Sequence, residues 1–192
     1  DVTEDTKVFA NAVKEAGVDL VTLAHNHALD NGEEGLETTQ NYLESIGIET
    51  VGKYSEEVQD RIKIIEEKGV KIAILSYTYD NGETGVNIYS EELASEDLAY
   101  ANENADFTIV LMHWGDVYKE KPNSTQKAQA QFLVNNGADI IIGAHPSVVE
   151  PMEILQNGEG KDCLVAYSLG DFTSDFSYEN SNLELVLNIQ IY

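Results

Sequence analysis

Arginine is almost missing from this chain: Arg61 is the only one, and lysine and arginine together number 11 against 35 aspartates and glutamates. The formal net charge of -24 excludes nucleic acid and anionic lipid as partners, because the protein's own field repels both. An anionic substrate cannot be gripped by arginine forks here, so its charge must meet a metal ion, a helix N-terminus, lysine or histidine. Cysteine is just as scarce. Cys163 alone excludes an internal disulfide and a cysteine-rich zinc site, and its place in the run CLVAY reads as a buried, inert thiol. No apolar run approaches the roughly 20 residues of a membrane span, and no signal peptide is visible. The chain opens on DVTEDTKVFANAV, inside a helical pattern and without methionine. The expectation is one domain over residues 1–192, cut from a longer protein whose targeting or anchoring segment lies upstream.

What the chain does have is four histidines, every one at the end of an apolar run. Val18 to Gly32 reads VDLVTLAHNHALDNG, a strand pattern on Val18, Leu20, Val21 and Leu23 that breaks into His25, Asn26, His27 and Asp30. Asp106 to Asp116 reads DFTIVLMHWGD and ends in His113; Asp139 to Pro146 reads DIIIGAHP and ends in His145. In open α/β sheets ligands bind at the carboxyl edge of the strands. Three such runs placed side by side would bring the histidines together, as a metal site or a general acid/base site.

Around these runs the periodicity predicts an α/β chain. Thr6 to Ala16 and Glu33 to Ile46 read as helices stopped by Gly17 and Gly47, and Ser90 to Asn104 as an acidic helix capped by Ser90. Asn123 or Ser124 caps a further helix that runs to Asn136. Ile48 to Val51 is a short strand, and Arg61 to Glu67 with Val70 to Tyr77 is an antiparallel hairpin. Tyr79 to Tyr89 reads as a surface loop able to overhang a site. Val148 to Leu155 is a strand interrupted by Pro151, Cys163 to Leu169 is another, and Leu183 to Ile191 closes the chain as a last strand.

Histidines, an asparagine and carboxylates form a nitrogen and oxygen donor set suited to zinc, manganese or iron. Such ions polarise phosphoryl oxygens and generate hydroxide near neutral pH. Serine hydrolase, P-loop and dinucleotide readings have no anchor, since no GxSxG, Walker A or GxGxxG element occurs.

The segments AHNHALDNG with GLETT, then MHWGD, GADIIIGAHPSVVEP and YSLGDF, resemble in order and spacing the CapA family of bacterial capsule synthesis proteins. That family is associated with poly-γ-glutamate and belongs to the calcineurin-like metallophosphoesterase superfamily. The resemblance runs from Val8 onward and implies a layered β-sandwich flanked by helices, here without its N-terminal strands, and a divalent metal at the strand ends. It implies that Asn26, His113 and His145 are metal ligands and that His27 contacts the phosphate or leaving group. His25, Asp30, Asp116 and Asp171 are supporting positions. Asp30 and Asp116 either orient histidines or serve as caps and solvated carboxylates; His25 adds a ligand or hydrogen-bonds locally.

The chain departs from the family pattern at three places. Upstream Gly-Asp and acidic motifs have no counterpart, Ser147 stands where a second histidine is usual, and His25 and Asp171 each replace an asparagine. The implied function is that of a capsule or poly-γ-glutamate biosynthesis protein, a metal-dependent phosphoester hydrolase in its intact form, working outside the cell or at its surface. The alternative is a non-catalytic scaffold for polymer assembly or export, with an incomplete or empty metal site. Its substrate would be an anionic phosphoester, or a molecule related to poly-γ-glutamate, approached through the metal.

Overall fold

The computed structural model describes residues 3–79, 82, 84–173 and 178–191. Helices and strands alternate from the start: α1 (Glu4–Glu15), β1 (Leu20–Thr22), α2 (Gly32–Ser45) and β2 (Glu49–Val51). A single turn, α3 (Val58–Arg61), leads into the hairpin β3 (Lys63–Glu67) and β4 (Val70–Thr78). Then come α4 (Glu91–Asn104), β5 (Phe107–His113), α5 (Ser124–Asn135), β6 (Ile140–Ala144), β7 (Val149–Gln156) and β8 (Asp162–Leu169). Side-chain caps start three of the helices: Thr3 accepts from Thr6, Ser90 from Leu93, and Asn123 forms a reciprocal capping box with Gln126.

Six strands form one sheet in the order β3-β4-β5-β6-β8-β7. β4, β5, β6 and β8 are mutually parallel, and β3 and β7 run antiparallel along the two edges. On one face, alternate residues Leu75, Tyr77, Val110, Met112, Ile141, Val165 and Tyr167 pack against Leu98 of α4 and Leu133 of α5. Side chains alternate across a strand, so Ser76, Leu111, His113 and Ile142 belong to the opposite face. There the separate pair β1 and β2 approaches, with Thr22 Oγ1 at 2.5 Å from Ser76 Oγ. A second, smaller apolar cluster of Leu23, Ala24, Leu36 and Val86 ties α2 to this pair. The result is the mixed α/β layering of sheets and flanking helices that the family resemblance implies.

Several local expectations need correcting. The strand run with His25 belongs to the two-stranded sheet, so the three histidine runs are not neighbours in one sheet. Pro151 does not interrupt its strand. β7 is an edge strand, and a residue without an N–H is tolerated where one side of the strand lacks a partner. Leu183 to Ile191 is not a strand. β8 already has β6 on one side and β7 on the other, and beyond the β6 pairing, which ends at Ala166, it gives the segment one backbone bond, Leu185 N–H to Leu169 O at 2.8 Å. The predicted apolar side of the first helix is largely uncovered: Val8 and Phe9 are exposed and no residue of α1 is buried. Residues 80, 81 and 83 of the expected overhanging loop lie outside the described residues. Arg61 closes α3 instead of opening a strand.

That arginine is 3 % exposed and carries a dense set of bonds. Its Nε donates to Asp97 Oδ1 at 2.9 Å, Nη1 donates to the Ser55 and Glu56 carbonyls, and Nη2 donates to Glu96. Tyr77 O–H donates to the second oxygen of Asp97 at 2.8 Å. Burial raises the Asp97 carboxyl, and the bonds from Arg61 and Tyr77 pull it back. Removing only one partner of a buried ion pair strands the other. Arg61→Leu is therefore expected to cost about 3–5 kcal/mol in urea denaturation, whereas the double change Arg61→Leu with Asp97→Leu should recover much of that loss.

Candidate functional site

The parallel order of the large sheet decides what meets at its carboxyl edge. Tyr79 follows β4, His113 ends β5, His145 follows β6, and Asp171 follows β8. Within the sheet Thr78 pairs with His113 and His113 with Ala144, so these ends are in step. From the other sheet, Leu23 N–H donates to Val51 O and the chain then turns through His25 to Asp30. Gly52 permits that approach: its φ is +100°, and a Cβ there would lie 2.8 Å from the Cβ and N of Ala24.

Three of the four histidines and Asn26 converge. His113 Nε2 lies 2.8 Å from Asn26 Oδ1, and the His113 and His145 ring centroids are 4.6 Å apart. His25 stands 6.1 Å from His113, ring to ring. His27 is the exposed member: its Nδ1–H donates to Asp30 Oδ2 at 3.0 Å, and its backbone N–H donates to His25 Nδ1 at 3.2 Å. Thus Asp30 fixes the His27 ring. Asp116 and Asp171 both lie near enough for their charge to favour protonated His145, which places both on this side of the molecule. Asp116 is itself held at 2.8 Å by the amide of Asn123, the α5 cap. Ser147 offers its hydroxyl to the His145 carbonyl at 3.4 Å.

The site is electrically unusual for so acidic a chain. Burial, reinforced by the neighbouring imidazoles, pulls His113 down to about 3, and burial also lowers His25 and His145. Neutral rings keep a nitrogen lone pair available to an electrophile. Two backbone features sharpen the picture: His145 has φ +101° and Ser147 φ +58°, conformations that L residues rarely adopt. Such strain costs on the order of 1–3 kcal/mol and concentrates at functional sites.

Whether these residues suit a metal ion can be judged from the donors. Asn26, His113 and His145 bring one amide oxygen and two neutral imidazoles close together, a set that fits a single divalent ion. Among the described residues no three His, Cys, Asp or Glu side chains stand close enough to hold an ion together, so the amide of Asn26 is needed to complete the set.

Sequence reasoning passed over Tyr79, which packs on both imidazoles, 6.1 Å from His113 and 5.2 Å from His145. The signal was available, since Tyr79 directly follows the run AILSYT at the same edge. It also passed over Gln126 and Glu150, whose buried bond at 2.7 Å backs the Asp116 mount. An acid in a strand and a glutamine in a helix carry no pattern that pairs them.

A family model described as bacterial capsule synthesis protein PGA_cap matches residues 3–176. A capsule biosynthesis protein CapA of Bacillus anthracis is 33% identical over 179 residues, covering 85% of this chain and 42% of the relative. A PGA biosynthesis protein CapA of Bacillus subtilis is 31% identical over 182 residues, covering 90% of this chain and 47% of the relative. The chain thus spans somewhat less than half the length of these relatives. Among solved structures, a Staphylococcus aureus protein assigned as a 5′-nucleotidase superposes with a TM-score of 0.61 at 14% identity, covering 88% of this chain and 36% of that one. A Mycoplasma pneumoniae phosphatase gives 0.58 at 17% identity, covering 88% and 55%. At such identity the likeness is one of fold.

Two outcomes are expected. The unfolded chain protonates its histidines near pH 6.5, whereas folded His113 stays neutral down to about pH 3. The stability that goes with the neutral ring is fully present above pH 6.5 and is lost as pH falls toward 3. The melting temperature should therefore drop on acidification less steeply in His113→Asn than in the parent chain. His145→Gly, which relieves the left-handed strain, should stabilise the fold by about 1 kcal/mol in chemical denaturation, while removing an imidazole from the cleft.

Proposed function

The chain belongs to the PGA_cap family of bacterial capsule synthesis proteins, and from that premise we propose that it serves capsule-polymer biosynthesis, of poly-γ-glutamate type, through metal-dependent hydrolysis of a phosphoester at the histidine cleft. The observation that carries the reading is the meeting of Asn26, His113 and His145: two neutral imidazoles and an amide oxygen, delivered by two different sheets, with His113 and Asn26 only 2.8 Å apart. The phosphatase-like fold and the CapA relatives support it. The capsule connection also supports work at the cell surface.

Asn26, His113 and His145 would hold the ion, which when bound supplies positive charge for a phosphoryl oxygen and acidifies a water. The chain has no arginine to do this, its only one being committed to Asp97 and Glu96. In hydrolysis a water oxygen bonds to phosphorus, the bond from phosphorus to the alcohol oxygen breaks, and that oxygen must gain a proton. We assign this role to His27. With Nδ1–H tied to Asp30, its ring exchanges protons through Nε2. Tyr79 covers the imidazole pair and keeps water from one side of it.

A second reading, a scaffold without catalysis, is favoured by one specific observation: among the described residues no three His, Cys, Asp or Glu side chains are grouped to hold an ion, so any site must lean on the neutral amide of Asn26. The two readings separate in one experiment. Calorimetric titration with manganese and zinc should show one weakly bound ion per chain, and hydrolysis of a chromogenic phosphate ester should be slow and lost in His113→Ala. No binding of either ion would leave only the scaffold. Tight binding of two ions would show that carboxylate ligands have been undercounted.

A further inference from the structure

A cleft of about 360 Å³ opens beside His145 and follows the start of α5. Tyr79, Asp116, Asn123, Thr125, Gln126 and Gln129 are among its lining residues, with Trp114 and Val117 as its larger apolar members. This volume lies within the roughly 300–1,000 Å³ typical of small-molecule sites. Its polar groups divide into two sets. Asn123 and Gln126 are engaged at both the oxygen and the nitrogen of their amides: Asn123 accepts from Gln126 N–H and donates to Asp116, while Gln126 accepts from Asn123 N–H and donates to Glu150. They are wall, and Gly115, whose Cβ would sit 2.7 Å from the Gln126 amide, lets the chain pass over them. Asp116 Oδ1, the Tyr79 phenol, the Thr125 hydroxyl and the Gln129 amide make no bond to one another and are the groups left to meet a ligand.

We propose that this cleft binds the uncharged, hydroxyl-bearing alcohol half of the substrate, so that the molecule cleaved is a phosphate ester of a sugar-like polyol. The proposal rests on the phosphoester reading for the histidine end of the site. No lysine or arginine is among the residues lining the cleft, and Asp116 is. A carboxylate entering beside Asp116 would meet a like charge inside the cleft, because Lys119 and Lys121 line the neighbouring hollow on the other side of Asp116, where Glu120 and Glu179 accompany them. Behind the wall, Glu150 is 1 % exposed, with Oε1 lacking any partner and its carboxyl raised by burial, so no positive charge backs the cleft from that side. Hydroxyl groups both donate and accept, matching Asp116 as acceptor, the phenol and hydroxyl as either, and the Gln129 amide as both. The apolar surfaces of Tyr79, Trp114 and Val117 suit the C–H faces of a ring. An acidic γ-linked peptide satisfies none of the charge conditions.

Amide chemical shifts of the 192-residue chain, titrated in parallel with methyl glucoside and with γ-linked triglutamate, test this without metal or turnover. Methyl glucoside should move the resonances of Thr125, Gln126 and Gln129, and Gln129→Leu should weaken its binding about tenfold, the worth of one hydrogen bond. Thr125→Val, an exposed change at the helix start, should weaken it as well. Triglutamate shifting these resonances instead, or no shift with the glucoside, overturns the proposal. Failure of the chromogenic ester assay would count against the phosphoester reading and leave this titration to stand or fall by itself.

Discussion

Everything at the cleft depends on Asn87, which joins the two sheets. Its backbone N–H donates to Gly52 O at the end of β2, its carbonyl accepts from Thr78 N–H at the end of β4, and its side-chain amide donates to Ser76 O. A second link, Thr22 Oγ1 to Ser76 Oγ, lies alongside. Asn26 is carried by the small sheet and His113 by the large one, and a hydrogen bond of 2.8 Å tolerates little relative motion. Neither sheet has reason by itself to place its ligand-type residue at that distance. The junction at Asn87 converts two independent strand ends into one site.

The histidine group also resolves an electrostatic tension. A chain of net charge -24 would be expected to protonate its histidines, since surrounding carboxylates stabilise imidazolium. The opposite holds for His25, His113 and His145, because burial outweighs the charges near them. Mutual proximity helps: each ring that took a proton would raise the cost for the next. The acidic surface acts at long range and is screened within roughly 8 Å at physiological ionic strength, while desolvation acts where the ring is. Local burial therefore determines the state of the site, and the bulk charge governs what approaches it.

Much of this was legible in the residues. The caps Ser90 and Asn123, the hairpin at Lys68 and Gly69, and the runs that end in His113 and His145 all follow from short-range rules of periodicity and capping. What failed depended on partners far away in sequence. Leu183 to Ile191 has the alternation of a strand, yet whether it becomes one depends on a ladder of partners, and past Ala166 the backbone of β8 gives it a single bond, Leu185 N–H to Leu169 O. Pro151 looks like a breaker until β7 is known to be an edge strand. At the site, the histidines announced themselves by type. Tyr79, Gln126 and Glu150 matter only through what they touch, and a single sequence does not contain their contacts.

His145 shows how the fold sustains an unfavourable conformation for the sake of that geometry. Its φ of +101° is resisted by any side chain, so something must over-determine it. On one side, Trp114 N–H donates to Ala144 O and Tyr118 N–H donates to Pro146 O, gripping the chain immediately before and after His145. On the other, Gly143 lies so close to β8 that a Cβ there would overlap Tyr167 O, while Trp114 Nε1–H donates to that same carbonyl at 2.8 Å. Trp114 thus holds both β6 and β8 from its buried place next to His113. The residue that follows the end of β5 is the clamp for the strained one, so the positions of His113 and His145 are set by a single packed unit.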